Sequence, residues 1–572
     1  MMRITAQLFF LLFSTACFAQ WTFTGNSTPT WQEVIERYTE LDAQHTGAKL
    51  VEIGHDDDGS PIHLFILADG SGFTPDSIRA AGKNILWITN GIHPGEPDGI
   101  DASLLLVQAL LDSDQYMGLL SNTAVCIVPV FNVSGAKNRS STSRANQNGP
   151  EEYGFRGNAR NLDLNRDFMK TDSRNARSLI SAMSAWDPDV YFETHVSNGA
   201  DHQYVMELFT THPDKLDPAL SNFLQRTMIP RQNAWMEQRG VLMCPFFETE
   251  GRTPEDGLKS FVDGPRYSTG HAALRNRIGI LSESHMLKPY SDRVNATFQL
   301  MLGTLAVMNE NPEALALARI QAFNNTITTK QFEFNWELDT THLTVLPWLG
   351  YEAIESKSDV SGLPRITYDH DRPTSVDVPW TAHAKPTITL EKPVGYLIPQ
   401  AWTDVIDRLA LENVVMEVVG DQRKMNGEVH YILNYKTVKT PYEGHYLHYD
   451  ISTRVQKEEV TARTGDVYVP MGNYTDRLVM ELLEPRASDG FFAWNFLDAI
   501  LQQKEWFSDY VFEDIATDLL AKDPFLKAEL VAACAADPKL ANDAWGQLYF
   551  VYQRSPYFES SYMRYPVVRC LN

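Results

Sequence analysis

Cysteine is scarce, with five in 572 residues, and none stands in a CxxC spacing. That excludes a cysteine-built zinc site and a small scaffold held mainly by disulfides. Positive charge is short as well. Against 73 Asp and Glu there are 49 Lys and Arg, a formal net charge of -24. Such a balance argues against nucleic acid or an anionic membrane as partner, and solubility alone accounts for it. Internal repeats and low-complexity tracts are missing. No apolar run approaches the roughly 20 residues that span a bilayer as a helix. What is present, 43% hydrophobic and 21% charged residues, is the composition of a folded protein. The length predicts two or three domains.

The first residues read as a secretory leader. Arg3 precedes an apolar core, Leu8 to Phe13, and small residues follow. Cleavage after Ala19 is expected, with Ser14 weakening the alternative of a lipoprotein site at Cys17. The mature chain is therefore expected to be exported, periplasmic or extracellular. It would keep Cys126, Cys244, Cys534 and Cys570. An oxidising compartment permits one or two disulfides among them, and Cys534 with Cys570 is the first pairing to test.

Along the chain, strand and helix patterns alternate. Trp31 to Gln44 has helical periodicity; Leu50 to Gly54 and Ile62 to Ala68 read as a hairpin around the acidic turn Asp56-Asp57-Asp58-Gly59. A buried strand, Ile85 to Ile88, precedes a loop and an apolar helical pattern, Ala102 to Leu111. A further strand is expected at Ala124 to Val130 and an irregular loop at Ser134 to Pro150. A helix over Asp172 to Trp186 leads to a strand, Val190 to Thr194. The helix His271 to Arg277 precedes the strand Ile278 to Leu281, and the helix Val294 to Asn309 follows. Beyond about residue 325 short β-like runs are broken by Pro, Gly and Asp, with a short helix at Ala401 to Leu411. Phe491 to Tyr552 reads as helical, its aromatics as core. The expected division is a leader at 1–19, an α/β/α mixed-sheet domain at 20–324, a β-rich domain at 325–483 and a helical segment at 484–572.

The chemistry-bearing residues fall where strands have just ended, the place where open α/β sheets put their ligands. His93 and Glu96, in NGIHPGEPDG, sit in a loop whose Gly and Pro content suits a fixed, tightly bent path. Imidazole and carboxylate are good zinc ligands, and a catalytic zinc takes three protein ligands and keeps one open position. A solvent-facing polar turn is the alternative for HxxE alone. Later come Arg156, the run Asn161-Leu162-Asp163-Leu164-Asn165-Arg166-Asp167-Phe168, His195 in FETHVS and Glu283 in SESHML.

In this order, over Trp31 to Asn309, these motifs resemble the zinc carboxypeptidases of the carboxypeptidase A type. The resemblance implies that His93, Glu96 and His195 hold one zinc ion, and that Glu283 is the general base for the attacking water. Glu193, Glu207, Glu248 and Glu250 compete for that role, and SESH departs from the usual sequence around the base. Asp163 matches the carboxylate that orients the first zinc histidine, with a cap or loop ion pair as its alternative. Asn165 and Arg166 match the pair that grips a substrate's terminal carboxylate. Arg156 matches the oxyanion-stabilising arginine, with Arg160, Arg139 and Arg144 as rivals. Tyr267 matches the tyrosine that closes over the substrate, although it lies nearer to Glu283 than expected. Gly95 stands where many relatives carry Arg. His202, His271 and His285 take no role from the resemblance.

The implied function is a zinc metallocarboxypeptidase acting on peptides with a free C-terminus. Alternatives are an amidohydrolase of the succinylglutamate desuccinylase and aspartoacylase type, a cell-wall peptide hydrolase, and a binding module that has lost the chemistry.

Overall fold

A computed structural model describes residue 23 and residues 25–571; the expected leader lies outside them. An eight-stranded mixed sheet dominates the first half. Its members are β1 (Ala48–His55), β2 (Pro61–Leu67), β3 (Asn84–Thr89), β4 (Thr123–Val128), β5 (Val190–Ser197), β6 (Met206–Thr210), β7 (Met243–Pro245) and, after the two-residue strands β8 (Glu248–Thr249) and β9 (Leu258–Lys259), β10 (Ile278–His285). The order is β1-β2-β4-β3-β5-β10-β6-β7.

Strands β4, β3, β5 and β10 run parallel in the middle, β1 and β2 are antiparallel to their neighbours, and β6 is antiparallel to β10 and parallel to β7. Central parallel strands need cover on both faces, so they are apolar throughout. Every residue of β3, β4 and β5 is buried. Side-chain alternation splits their apolar residues between two cores. Leu86, Ile88, Val125 and Phe192 pack with the helices Asp98–Asp112 and Tyr290–Glu310. Ile85, Trp87, Ala124 and Tyr191 pack with the helices Arg174–Trp186 and Ser268–Leu274. The α/β/α architecture follows directly.

The second half contains β11 (Gln331–Leu338), β12 (Leu343–Lys357), β13 (Pro364–Thr381), β14 (Ala384–Glu391), β15 (Gly395–Ile398), β16 (Glu417–Val418), β17 (Arg423–Thr437), β18 (His448–Ala462), β19 (Val467–Pro470) and β20 (Val568–Cys570). The long hairpin β12–β13 captures β9 and β8 of the first half in a four-stranded sheet. A six-stranded sheet runs β16-β19-β15-β20-β17-β18, and helices from Asp509 to Tyr552 form a separate apolar cluster.

Several expectations need correction. Ser134 to Pro150 is not wholly irregular, because Asn132 accepts from the Gly135 N–H and caps a short helix, Val133–Lys137. Glu283 lies inside β10, not after it, and the helix Pro312–Thr328 continues the first half beyond Asn309. Residues 491–501 are turns and a 3₁₀ segment, so the helical stretch begins at Asp509. All four described cysteines are free. Cys570 is buried among Leu397, Val429 and Val460, whereas Cys534 sits in the helix Pro524–Ala536, outside that core. Among the described residues no helix is long and apolar enough to cross a membrane.

Candidate active site

The loop after β3 is fixed before it presents any ligand. Asn90 O accepts from Phe131 N–H, and Gly91 O accepts from Asn132 N–H. Gly91 adopts φ +64°, and a Cβ there would meet Ile100 at 3.3 Å. At the start of the next helix Gly99 lies so close to β5 that a Cβ would meet the Thr194 hydroxyl at 2.0 Å. Glycine at these positions lets the His93–Glu96 loop lie against the end of β5, where His195 emerges.

His93, Glu96 and His195 are all buried, and their ligand atoms lie within 4.8 Å of one another. His93 Nδ1 is 3.4 Å from Glu96 Oε1, and His195 Nδ1 is 3.2 Å from Glu96 Oε2. The opposite ring nitrogens are both anchored. His93 Nε2 meets Asp163 Oδ1 at 2.9 Å, and His195 Nε2 meets Glu193 Oε2 at 2.9 Å. Glu193 in turn accepts from the Tyr191 and Ser268 hydroxyls at 2.7 Å. Carboxylates behind ligating imidazoles fix tautomer and ring orientation. His93 Nδ1, facing Glu96, is buried with no hydrogen-bond partner.

The electrostatics call for a cation. Burial acts against charge on His195, yet hydrogen bonds to Glu193 and Glu96 and the nearby Glu283 raise its pKa to about 10. Burial likewise opposes ionisation of Glu96 and Asp163, but Arg144 and His93 hold Glu96 well below the carboxylate range, and His93, Arg156 and Arg166 do the same for Asp163. An orphaned nitrogen in a two-imidazole, one-carboxylate set, ringed by further carboxylates, fits a divalent zinc-type ion.

One cavity of about 430 Å³ joins this trio to Arg156, Asn165, Arg166, Tyr267 and Glu283. Glu283 is half-buried there, and burial, reinforced by Glu96 and Glu207 and opposed by His195, pushes its carboxyl up to about 8. Two of the other acids are engaged elsewhere, Glu193 with His195 and Glu207 with His202, while Glu248 lines the same cavity as Glu283. Arg156 bonds Asp163 through Nε at 2.9 Å and reaches to 3.5 Å of Glu96. Arg166 stacks over the Tyr267 ring at 4.3 Å. Asn165 Oδ1 is buried without a partner. Of the rival arginines, Arg160 bonds the Asp172 carbonyl and Arg139 bonds backbone carbonyls of residues 28, 29 and 152.

Some participants, and the part that Arg144 plays, escape a reading of the sequence. Arg144 donates to Glu96 and lies 3.1 Å from where a Gly95 Cβ would stand, so the missing side chain at 95 makes room for a guanidinium from a distant loop. Tyr442 and Glu443, on the loop between β17 and β18, also reach the site. The Arg166 Nε–H donates to the Tyr442 hydroxyl at 3.1 Å, and the Asp163 backbone N–H donates to Glu443 at 2.7 Å. The readable signal at Gly95 was an absence, and Tyr442 carried none.

Comparison with known proteins places these motifs in context. Residues 35–234 match the family model for zinc carboxypeptidases, peptidase family M14. Carboxypeptidase 2 of Trichophyton rubrum is 20% identical over 498 residues, covering 83% of this chain and 85% of its own. Carboxypeptidase 2 of Trichophyton equinum is 20% identical over 428 residues, 71% of this chain and 72% of its own. Among solved structures, a metallo-carboxypeptidase from Burkholderia cenocepacia aligns with a TM-score of 0.38 at 16% identity, over 49% of this chain and 70% of that one.

Proposed function

We propose, from the match of residues 35–234 to the zinc carboxypeptidase family model, that this chain is a metallopeptidase that removes the C-terminal residue from peptides. His93, Glu96 and His195 would hold a zinc ion, which would lower the pKa of water and polarise the scissile carbonyl. Glu283 takes the proton of the attacking water at its carboxylate and passes it to the departing amine. Arg156 donates to the oxygen that gains negative charge. Arg166 and Asn165 bind the substrate's terminal carboxylate, and Tyr267 covers it.

The single observation that carries this reading is the shared cavity. The three ligands, an acid with a raised pKa and a carboxylate-binding Asn–Arg pair all line it. Phe209, Phe246, Phe261 and Leu281 form its apolar wall, which fits an apolar or aromatic terminal side chain. The reading includes export, on the leader pattern of residues 1–19.

The test is digestion of peptides with free or amidated C-termini, read by mass spectrometry. Release of single residues from the free ends, fastest for Phe or Leu, is expected, with loss on chelation and recovery on adding Zn²⁺. Hydrolysis of N-acyl amino acids with peptides left intact would overturn the proposal.

A further inference from the structure

A second trio of metal-type donors lies beside the first. His202, Glu207 and His285 are all buried, with ligand atoms within 4.8 Å of one another. Glu207 belongs to β6 and His285 ends β10, while His202 precedes β6 and forms a bridge with Gly350 of β12. Strand register sets their place. Glu283 lies opposite both His195 of β5 and Glu207 of β6, and His285 lies opposite Ser197. Residues two apart on a strand share a face, so His285 stands roughly 7 Å further along the face that carries Glu283.

The donor distances are similar to those of the first trio, although here both nitrogens approach one carboxylate oxygen. His202 Nε2 is 3.1 Å and His285 Nδ1 3.3 Å from Glu207 Oε1, against 3.4 and 3.2 Å in the first trio. Ligands held at about 2.0–2.2 Å from a tetrahedral ion are separated by roughly 3.3–3.6 Å. A fourth neighbour is at hand, because Ser197 Oγ is 3.3 Å from His285 Nδ1 and 2.6 Å from Glu207 Oε1. Hydrogen bonding explains the cluster less well. It asks one carboxylate oxygen, with two lone pairs, to accept from two ring nitrogens and a hydroxyl.

We propose that His202, Glu207 and His285, with Ser197 as fourth neighbour, form a second binding site for a divalent transition metal of the zinc class. Two imidazoles and a carboxylate select such an ion over calcium or magnesium. The site is enclosed, with His202 packed edge-on against Phe247 and Trp348 at ring distances of 5.7 and 5.3 Å. Its three ligands do not line the catalytic cavity, although the fourth neighbour, Ser197, does. The ion therefore has a structural role, fastening β6 and β10 to the segment that meets β12. This inference does not rest on which bond the enzyme cleaves.

The experiment uses the full chain, stripped by chelator and reloaded with Zn²⁺ alone. Two ions per chain are expected by elemental mass spectrometry, with two anomalous peaks at the zinc edge in crystals. His93→Ala should keep one ion, at the second trio. His285→Gln, close in size to the native side chain, should keep only the ion at the first. The crystal experiment needs no variant and covers the case in which His285→Gln fails to fold. A single peak at His93, no peak at all, or an undiminished metal count in folded His285→Gln overturns the proposal.

Discussion

Glu283 is asked to be buried enough to have a raised pKa and open enough to meet water. Its position in β10 meets both demands, because the strand is covered on its flanks while this side chain faces the cavity. Glu283→Gln keeps the shape and removes the proton acceptor. A kcat loss of about 10²–10⁴-fold is expected, with zinc content at the first trio unchanged; a loss of metal in parallel with activity would contradict the role. Asp101 shows a different use of burial. It accepts from the Thr28 and Tyr290 hydroxyls at 2.6 Å, yet burial raises its pKa to about 7. Between about pH 4, the ordinary Asp range, and that value the folded chain holds a proton the unfolded chain has released. The contribution of this group is complete below that window and is lost as pH rises through it. Asp101→Asn should therefore flatten the fall in stability between about pH 4 and 7 in denaturant titrations.

At the scale of elements, the loop between β17 and β18 is the least expected part of the site. Tyr442 holds Arg166 from outside the α/β unit. Tyr442→Phe removes the hydroxyl while keeping the ring that packs beside Trp494 at 6.1 Å. A rise in KM of a few-fold for free-carboxylate peptides, with kcat nearly unchanged, is expected from the loss of about 1 kcal/mol of hydrogen bonding; an equal fall in kcat would count against a positioning role. The contact spans 276 residues, and no local pattern announces it. His93, Glu96 and the Asp163-Leu164-Asn165-Arg166 run were legible because each is a short motif at a strand end or tight turn. Strands β12 and β13 were read as short pieces because of Pro347, Pro373 and Pro379. The structure tolerates them because β12 is an edge strand and β13 meets β9 only at Trp380 and Thr381, which leaves most of that side free of ladder partners. β6 went unread because Glu207 interrupts a short apolar run.

Across the whole molecule the two halves share buried polar contacts and a core. His271 bonds Glu412 at 2.8 Å, Arg275 approaches the same carboxylate at 3.5 Å, and Arg408 bonds Asp172 at 2.9 Å. Met169 and Leu274 belong to the apolar cluster of Phe334, Leu409 and Phe492. Glu412→Ala removes the carboxylate that the buried His271 and Arg275 side chains face and should cost about 3–5 kcal/mol. Calorimetry is expected to show the first half and the six-stranded sheet unfolding in one transition, shifted down in this variant. Two independent transitions in the unaltered protein would show that the interface does not couple them. The aromatic content of the second half was readable as core, but its partners were not, since a core shared between distant segments leaves no periodic trace in either one.

The six-stranded sheet has a consequence for how the protein is made. Its inner strand β20 fills the gap between β15 and β17. A nascent chain can build the α/β unit on the ribosome long before residues 568–570 emerge, yet β15 and β17 must wait with exposed edges until they do. A premature stop codon that removed only those few residues would thus yield an open sheet, a template for aggregation and a target for chaperones and proteases.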